Sequence, residues 1–195
     1  MATVLLALAI ISTGLYAGFM LSFQTAIMPA LARLDDDHFL AAMRRVNEVV
    51  PRPLFLLTFF SIIVFPAVSL AVPVDGRSDT QRWLLVAGLA CSVINHLVTV
   101  AGNVPLNNAL AASERASEEA SKRAPEQSGR SEGSRGSERA GESVSEVPGE
   151  RGAQSGRAGA DRAARMAFEP RWNRLHLIRT LFTLAAFALV VSSAL

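Results

Sequence analysis

Charge is missing from four long stretches of this chain, and their lengths restrict how it can fold. From Met1 to Ala32 there is no Asp, Glu, Lys or Arg, and the same holds for Pro53–Val74 and Trp83–Ser113. A fourth stretch, Leu175–Leu195, carries Arg179 alone. Each is about 20 residues or longer, the length a helix needs to cross roughly 30 Å of hydrocarbon. A helix that is apolar all round at that length has no solvent-facing side to offer. The expected fold class is therefore all-α: a four-helix transmembrane bundle in a single integral membrane domain, with spans about 4–30, 53–73, 83–108 and 175–195. Met1-Ala2-Thr3 supplies no basic n-region and the first run outlasts an ordinary h-region, so it reads as a retained helix rather than a cleaved signal.

The connections differ in kind. After the first span, Asp35-Asp36-Asp37 can cap a short helix, because carboxylate oxygens accept the free N–H groups of a first turn. Phe39, Met43, Val46 and Val50 then fall on one face, with Arg44, Arg45 and Glu48 on the other. That pattern predicts a short interfacial helix lying along the membrane surface, ended by Pro51 and Pro53. Residues 73–82 form a tight Gly/Asp/Ser connection. Residues 113–165 are Ser/Gly/Glu/Arg/Ala-rich with almost no aliphatic side chain larger than alanine. Such a segment buries too little apolar surface to offset its ordering entropy, and it reads as a low-complexity insertion, disordered over most of its length. A tolerated insertion is the simpler explanation of it, a regulatory or docking tail the alternative.

Basic residues set the orientation. Arg33, Arg44, Arg45 and Arg52 lie in the first loop, and Arg115, Lys122, Arg123, Arg162, Arg165, Arg171 and Arg174 flank the third. The opposite side has only Arg77 and Arg82. The positive-inside bias then puts the first and third loops in the cytoplasm and both termini outside, in what reads as a bacterial cytoplasmic membrane. The lipid bilayer is the expected partner, and a homo-oligomer is compatible with the sequence. Nucleic acid is not an expected partner: the formal net charge is +2 despite a pI near 9.3, and no basic stripe is interleaved with aromatics. Cys91 is the single cysteine, so no intrachain disulfide can form. His38, His96 and His176 have no metal-ligand spacing, and no metal is expected.

Against this background a few polar side chains stand out. Asn103 and Asn107 are four apart and share a helix face; Trp172, His176 and Arg179, spaced four and three, form another stripe. The topology brings both stripes to one membrane face, with Gln24 at the end of the first span and Asn47 at the margin of the short helix. Pro105 removes an N–H between the asparagines and loosens the helix near Ala101. Taken singly, each residue has an ordinary explanation: Trp172 as an interfacial anchor, the asparagines as interhelical glue. Converging at one depth, they predict a polar pocket in an apolar bundle. His96 lies about 10 Å deeper than Asn103 along the same face and is read as an interhelix hydrogen bonder. Gly14, Gly18 and Ser22 repeat at four-residue steps and are read as packing.

Five segments in order carry a family resemblance: Y-A-G-F at Tyr16, M-P-A-L at Met28–Leu31, F-x-x-A-M-R-R-V-N at Phe39–Asn47, N-V-P-L-N-N-A-L at Asn103–Leu110 and W-N-x-L-H-x-x-R-T-L at Trp172–Leu181. Together they resemble the anthrone oxygenase-like family of small four-helix membrane proteins, over nearly all of the chain outside 113–165. The resemblance implies oxidation of an anthrone to an anthraquinone by O2, a hydrophobic aromatic polycycle or phenol as substrate, and no metal or flavin cofactor. Within that chemistry His176 is the expected general base, while Arg179, Asn103 and Asn107 are expected to stabilise the developing oxyanion. Trp172, Asn47 and Gln24 would contact the substrate, Trp172 by stacking. The competing reading is a non-catalytic scaffold or transporter subunit. No Asp or Glu lies in any charge-poor run to carry coupled protons, which disfavours a proton-coupled exporter.

Overall fold

The computed structural model describes residues 2–131 and 148–195. Among them every regular element is helical. The first helix, α1, runs over Ala2–Leu31, as α-helix to Ser22, a π-helical turn Phe23–Ile27, and a last turn Met28–Leu31. Then follow α2 (Asp36–Val49) and α3 (Pro53–Ala71). The next helix, α4, is Asp79–Val98, a second π-helical turn Thr99–Asn103, and Val104–Ser131. The last, α5, is Pro148–Ser192. Four of these helices are long and apolar enough to cross a membrane, as the charge-free runs predict.

The four spans alternate in direction. α5 packs along both α4 and α1, while α3 closes the bundle against α1 and α4. Local sequence sets the boundaries. Gly76, at φ +80°, makes the turn before α4. Ser78 and Gln81 then cap α4 reciprocally, Gln81 N–H donating to Ser78 Oγ at 3.2 Å and Ser78 N–H to Gln81 Oε1 at 3.1 Å. Pro53 opens α3, where its missing N–H costs nothing. At the end of the bundle holding the 72–78 connection, Ala9, Leu85 and Val190 form a fully buried contact. There α4 and α5 meet so closely that a Cβ on Gly88 would stand 2.9 Å from Val190 Cγ2.

The opposite end holds the larger core. α2 lays Phe39, Leu40 and Met43, all fully buried, against Phe23 and Met28 of α1, Leu110 of α4, and Phe168 and Trp172 of α5. Its apolar face is thus taken up by protein rather than by the bilayer surface. The expected carboxylate cap is not formed: Asp35 occupies the capping position, but its side chain accepts no N–H bond. Asp36 serves a different purpose. Arg165, on α5, donates to Asp36 Oδ1 at 3.0 Å, to Leu34 O at 2.7 Å and to Ala32 O at 2.9 Å, while its Nε donates to Glu169 at 2.7 Å. Its guanidinium also lies 4.4 Å above the Phe39 ring. One side chain therefore clamps the junction between α1 and α2.

The helices outlast the apolar runs. α4 continues to Ser131 and α5 begins at Pro148, so the parts of 113–165 next to the bundle are helical. Alanine, glutamate, lysine and arginine favour helix without any core to bury, and tertiary contacts such as Arg44–Glu114 at 3.0 Å tie the extensions to α2. The expectation of disorder for 132–147 falls outside the described residues.

Candidate functional site

Both π-helical turns stand at the same end of the bundle, and each precedes a proline by the same interval: Ile27 then Pro29, Asn103 then Pro105. A proline ring presses on the carbonyl four residues back, and the extra residue of a π turn relieves that contact. Pro66 and Pro170 lie in uninterrupted α-helix, so proline alone does not impose the π turn. The loosened helix expected near Ala101 thus takes the form of a π turn, with a second one on α1 facing it.

Between the turns lies a cavity of about 100 Å³. Met20 and Phe23 face it from α1, Asn47 and Val50 from the α2 end, Phe55 from α3, Thr99, Asn103 and Asn107 from α4, and Trp172 and Arg179 from α5. Of the seven residues singled out from sequence, five line this space. His176 stands behind the wall, fully buried. Gln24 is not among the lining residues; its Oε1 is buried without a hydrogen-bond partner. His96 is elsewhere, stacked on Phe59 at 3.8 Å with Nδ1 near Ser92 O.

The α5 stripe is a built unit. The Trp172 and His176 rings stack at 4.8 Å with 15° between planes, and Trp172 Nε1–H donates to Asn107 Oδ1 at 3.0 Å. Trp172 is 2% exposed, which places it in the core rather than at an interface as an anchor. Arg179 Nε–H donates to His176 Nδ1 at 3.0 Å. His176 Nε2 is 3.1 Å from Met20 O, and a carbonyl can only accept, so Nε2 carries the proton. Both imidazole nitrogens are therefore committed to the protein. This is the neutral tautomer, fixed from two sides.

Arg179 is the consequence. Its Nε is held, its carbon lies 5.3 Å over the Trp172 ring, and it lines the cavity at 7% exposure. Among the described residues its terminal nitrogens have no hydrogen-bond partner and no carboxylate pairs with it. Asn103, 1% exposed, has both amide atoms unpartnered. Deeper, Asn95 is in the same condition, and the Tyr16 hydroxyl faces the Asn95 and Thr99 side chains within the field of Arg179 without completing a hydrogen bond. No group of three His, Cys, Asp or Glu among the described residues is placed to hold a metal ion.

Sequence reasoning passed over Tyr16, Asn95 and Thr99 as site residues. The signal for two of them was present: Asn95, Thr99, Asn103 and Asn107 recur at four-residue steps, a polar ladder on an otherwise apolar helix. Tyr16, alone on its turn of α1, offers no comparable pattern.

Fold and site together define a four-span helical membrane protein with a mostly apolar cavity, bearing an arginine and three asparagines, at one end of the bundle. The family model described as anthrone oxygenase matches residues 39–189, and the chain belongs to that family. Neither the curated proteins nor the solved structures give a significant match to the chain.

Proposed function

We propose that this protein oxidises a flat aromatic carbon acid with O2, in the manner that its family name states, and that it binds the substrate as its enolate or phenolate beside Arg179. The observation that carries this reading is the arginine itself. A guanidinium buried without a counter-charge is costly, and this one is oriented by His176 with its free donors toward a cavity. An anionic oxygen in that cavity answers the charge and accepts from the Asn103 side-chain N–H. For an anthrone, the ring CH2 loses a proton to solvent, and the resulting carbanion is stabilised through the oxygen held by Arg179. Attack on O2 forms a C–O bond. Loss of water leaves the second carbonyl, so one oxygen atom enters the quinone and the other leaves as water.

His176 is assigned to holding Arg179 rather than to proton abstraction, because neither of its nitrogens has a free lone pair facing the cavity. Trp172, Asn47 and Asn107 form the substrate walls. The cavity is smaller than the roughly 300–1,000 Å³ usual for ligand pockets, so a three-ring substrate enters by displacing the α2 side, where Val46, Asn47 and Val50 form the cover. The arginine-rich first and third loops are assigned to the cytoplasmic side of the membrane. The test is O2 consumption by membranes carrying the protein, offered anthrones and hydroquinones. Uptake of one O2 per anthrone with quinone formation supports the reading, and uptake equal to that of control membranes refutes it. The committed His176 also favours a second reading, a non-catalytic protein that binds such anions. Saturable binding of a hydroxyanthraquinone phenolate without O2 uptake would select it.

A further inference from the structure

Outside the Arg179 cavity, a shallow groove of about 590 Å³ follows the seam of α5 with α4. Its floor is Ala101 and Gly102, small residues of the second π turn, with Pro105, Leu175 and Ile178 as walls. Gly102 allows the approach that makes the seam: a Cβ there would stand 2.8 Å from Leu175 Cδ1. Arg171 and Arg174 stand at the end of the groove where the apolar run of α5 begins. Both are exposed.

These two arginines differ from others on the same face. Arg44 pairs with Glu114, Arg45 with Glu48, and Arg165 with Asp36 and Glu169. Arg171 and Arg174 have no carboxylate partner among the described residues. Arg33 and Arg52 are also exposed and unpaired there, but neither lines this groove. At Arg171 and Arg174 uncompensated positive charge and an apolar channel meet at the end of a membrane span. The matching chemistry is a phosphate diester joined to an acyl chain. Basic clusters between helices at a membrane face are where anionic headgroups bind, and arginine forks suit phosphate oxygens.

We propose that the α4–α5 seam binds an anionic phospholipid, its phosphate between Arg171 and Arg174 and one acyl chain in the groove beside Pro105, Leu175 and Ile178. The site is independent of the oxidation reading, since it uses none of the cavity residues.

Native mass spectrometry of the full chain released from micelles with equal phosphatidylglycerol and phosphatidylcholine tests it. The expected wild-type result is retained phosphatidylglycerol in roughly thirtyfold excess over phosphatidylcholine, the scale of two interfacial charges. Arg171→Gln with Arg174→Gln brings that ratio near one. Arg33→Gln with Arg52→Gln, an equal loss of charge on the same face, leaves it unchanged. Ile178→Trp, which fills the groove, lowers retention of the anionic lipid without altering charge. Equal losses in the two double variants would mean diffuse attraction and overturn the site, as would an unchanged ratio in Arg171→Gln/Arg174→Gln. Should that double variant not fold, the single variants carry the same test at about fivefold each.

Discussion

At the end of the bundle near the 72–78 connection, helices meet through Ala9, Leu85 and Val190, and Gly88 lets α4 and α5 come close. Polar side chains there mostly turn back on their own helix, as Ser193 does to Val190 O at 2.6 Å; Ser69 Oγ is an exception without a partner. At the other end both α1 and α4 widen into π turns, and Asn103 is buried with its hydrogen-bonding capacity unspent. The first region is arranged for packing alone. The second keeps the larger core but leaves a cavity, with buried polar groups unpartnered around it.

The comparison can be broken most decisively at Arg179. Arg179→Gln should lower anthrone-dependent O2 uptake by about a hundredfold or more, the range for removing a preorganised oxyanion partner. Thermal stability should stay level or rise, because an uncompensated buried charge has been removed. A fall in stability with activity retained would place Arg179 with the packing residues instead. At the far end the signs reverse. Gly88→Leu forces a side chain against Val190 and should cost about 1–3 kcal/mol, read as a lower midpoint of thermal inactivation, with turnover at low temperature little changed.

His176→Gln should produce a smaller catalytic loss, about tenfold and mainly in KM, as expected for a residue that aims Arg179. A general base would give a loss of roughly 10²–10⁴ in turnover, so the size and the parameter both discriminate. Smallest is Asn103→Leu. Replacing an unsatisfied buried amide by an apolar group of similar size should be neutral or stabilising by about 1 kcal/mol, with weaker substrate binding. Marked destabilisation of that variant would show that the amide is satisfied in the membrane and serves as interhelical glue.

Much of this arrangement was legible in the sequence. The four spans follow from where charge is missing, since the bilayer penalises charge strongly and at a fixed length. Convergence of Asn47, Asn103, Asn107, Trp172 and Arg179 followed from topology and helical spacing, because spans of fixed length bring matching ends together. What did not follow was the division of labour within α5. Spacing places His176 and Arg179 on one stripe, but only the Met20 carbonyl, on a helix distant in sequence, shows that the histidine is occupied at both nitrogens. Tyr16 was missed for the same reason: its neighbours Asn95 and Thr99 belong to another helix. The helical extensions into 113–165 were missed because composition weighs core burial and gives little credit to local helix propensity or to single contacts such as Arg44–Glu114.

The Arg165 clamp gives the hydrophilic segment a boundary for protein engineering. Its donors grip the last carbonyls of α1 and the start of α2, and α2 leads directly into the residues that cover the cavity. Trimming that reaches residue 165 releases the cover of the site from the helix that carries Arg179. The low-complexity composition therefore runs past a residue that the bundle uses, and Arg165 belongs to the structure that it clamps.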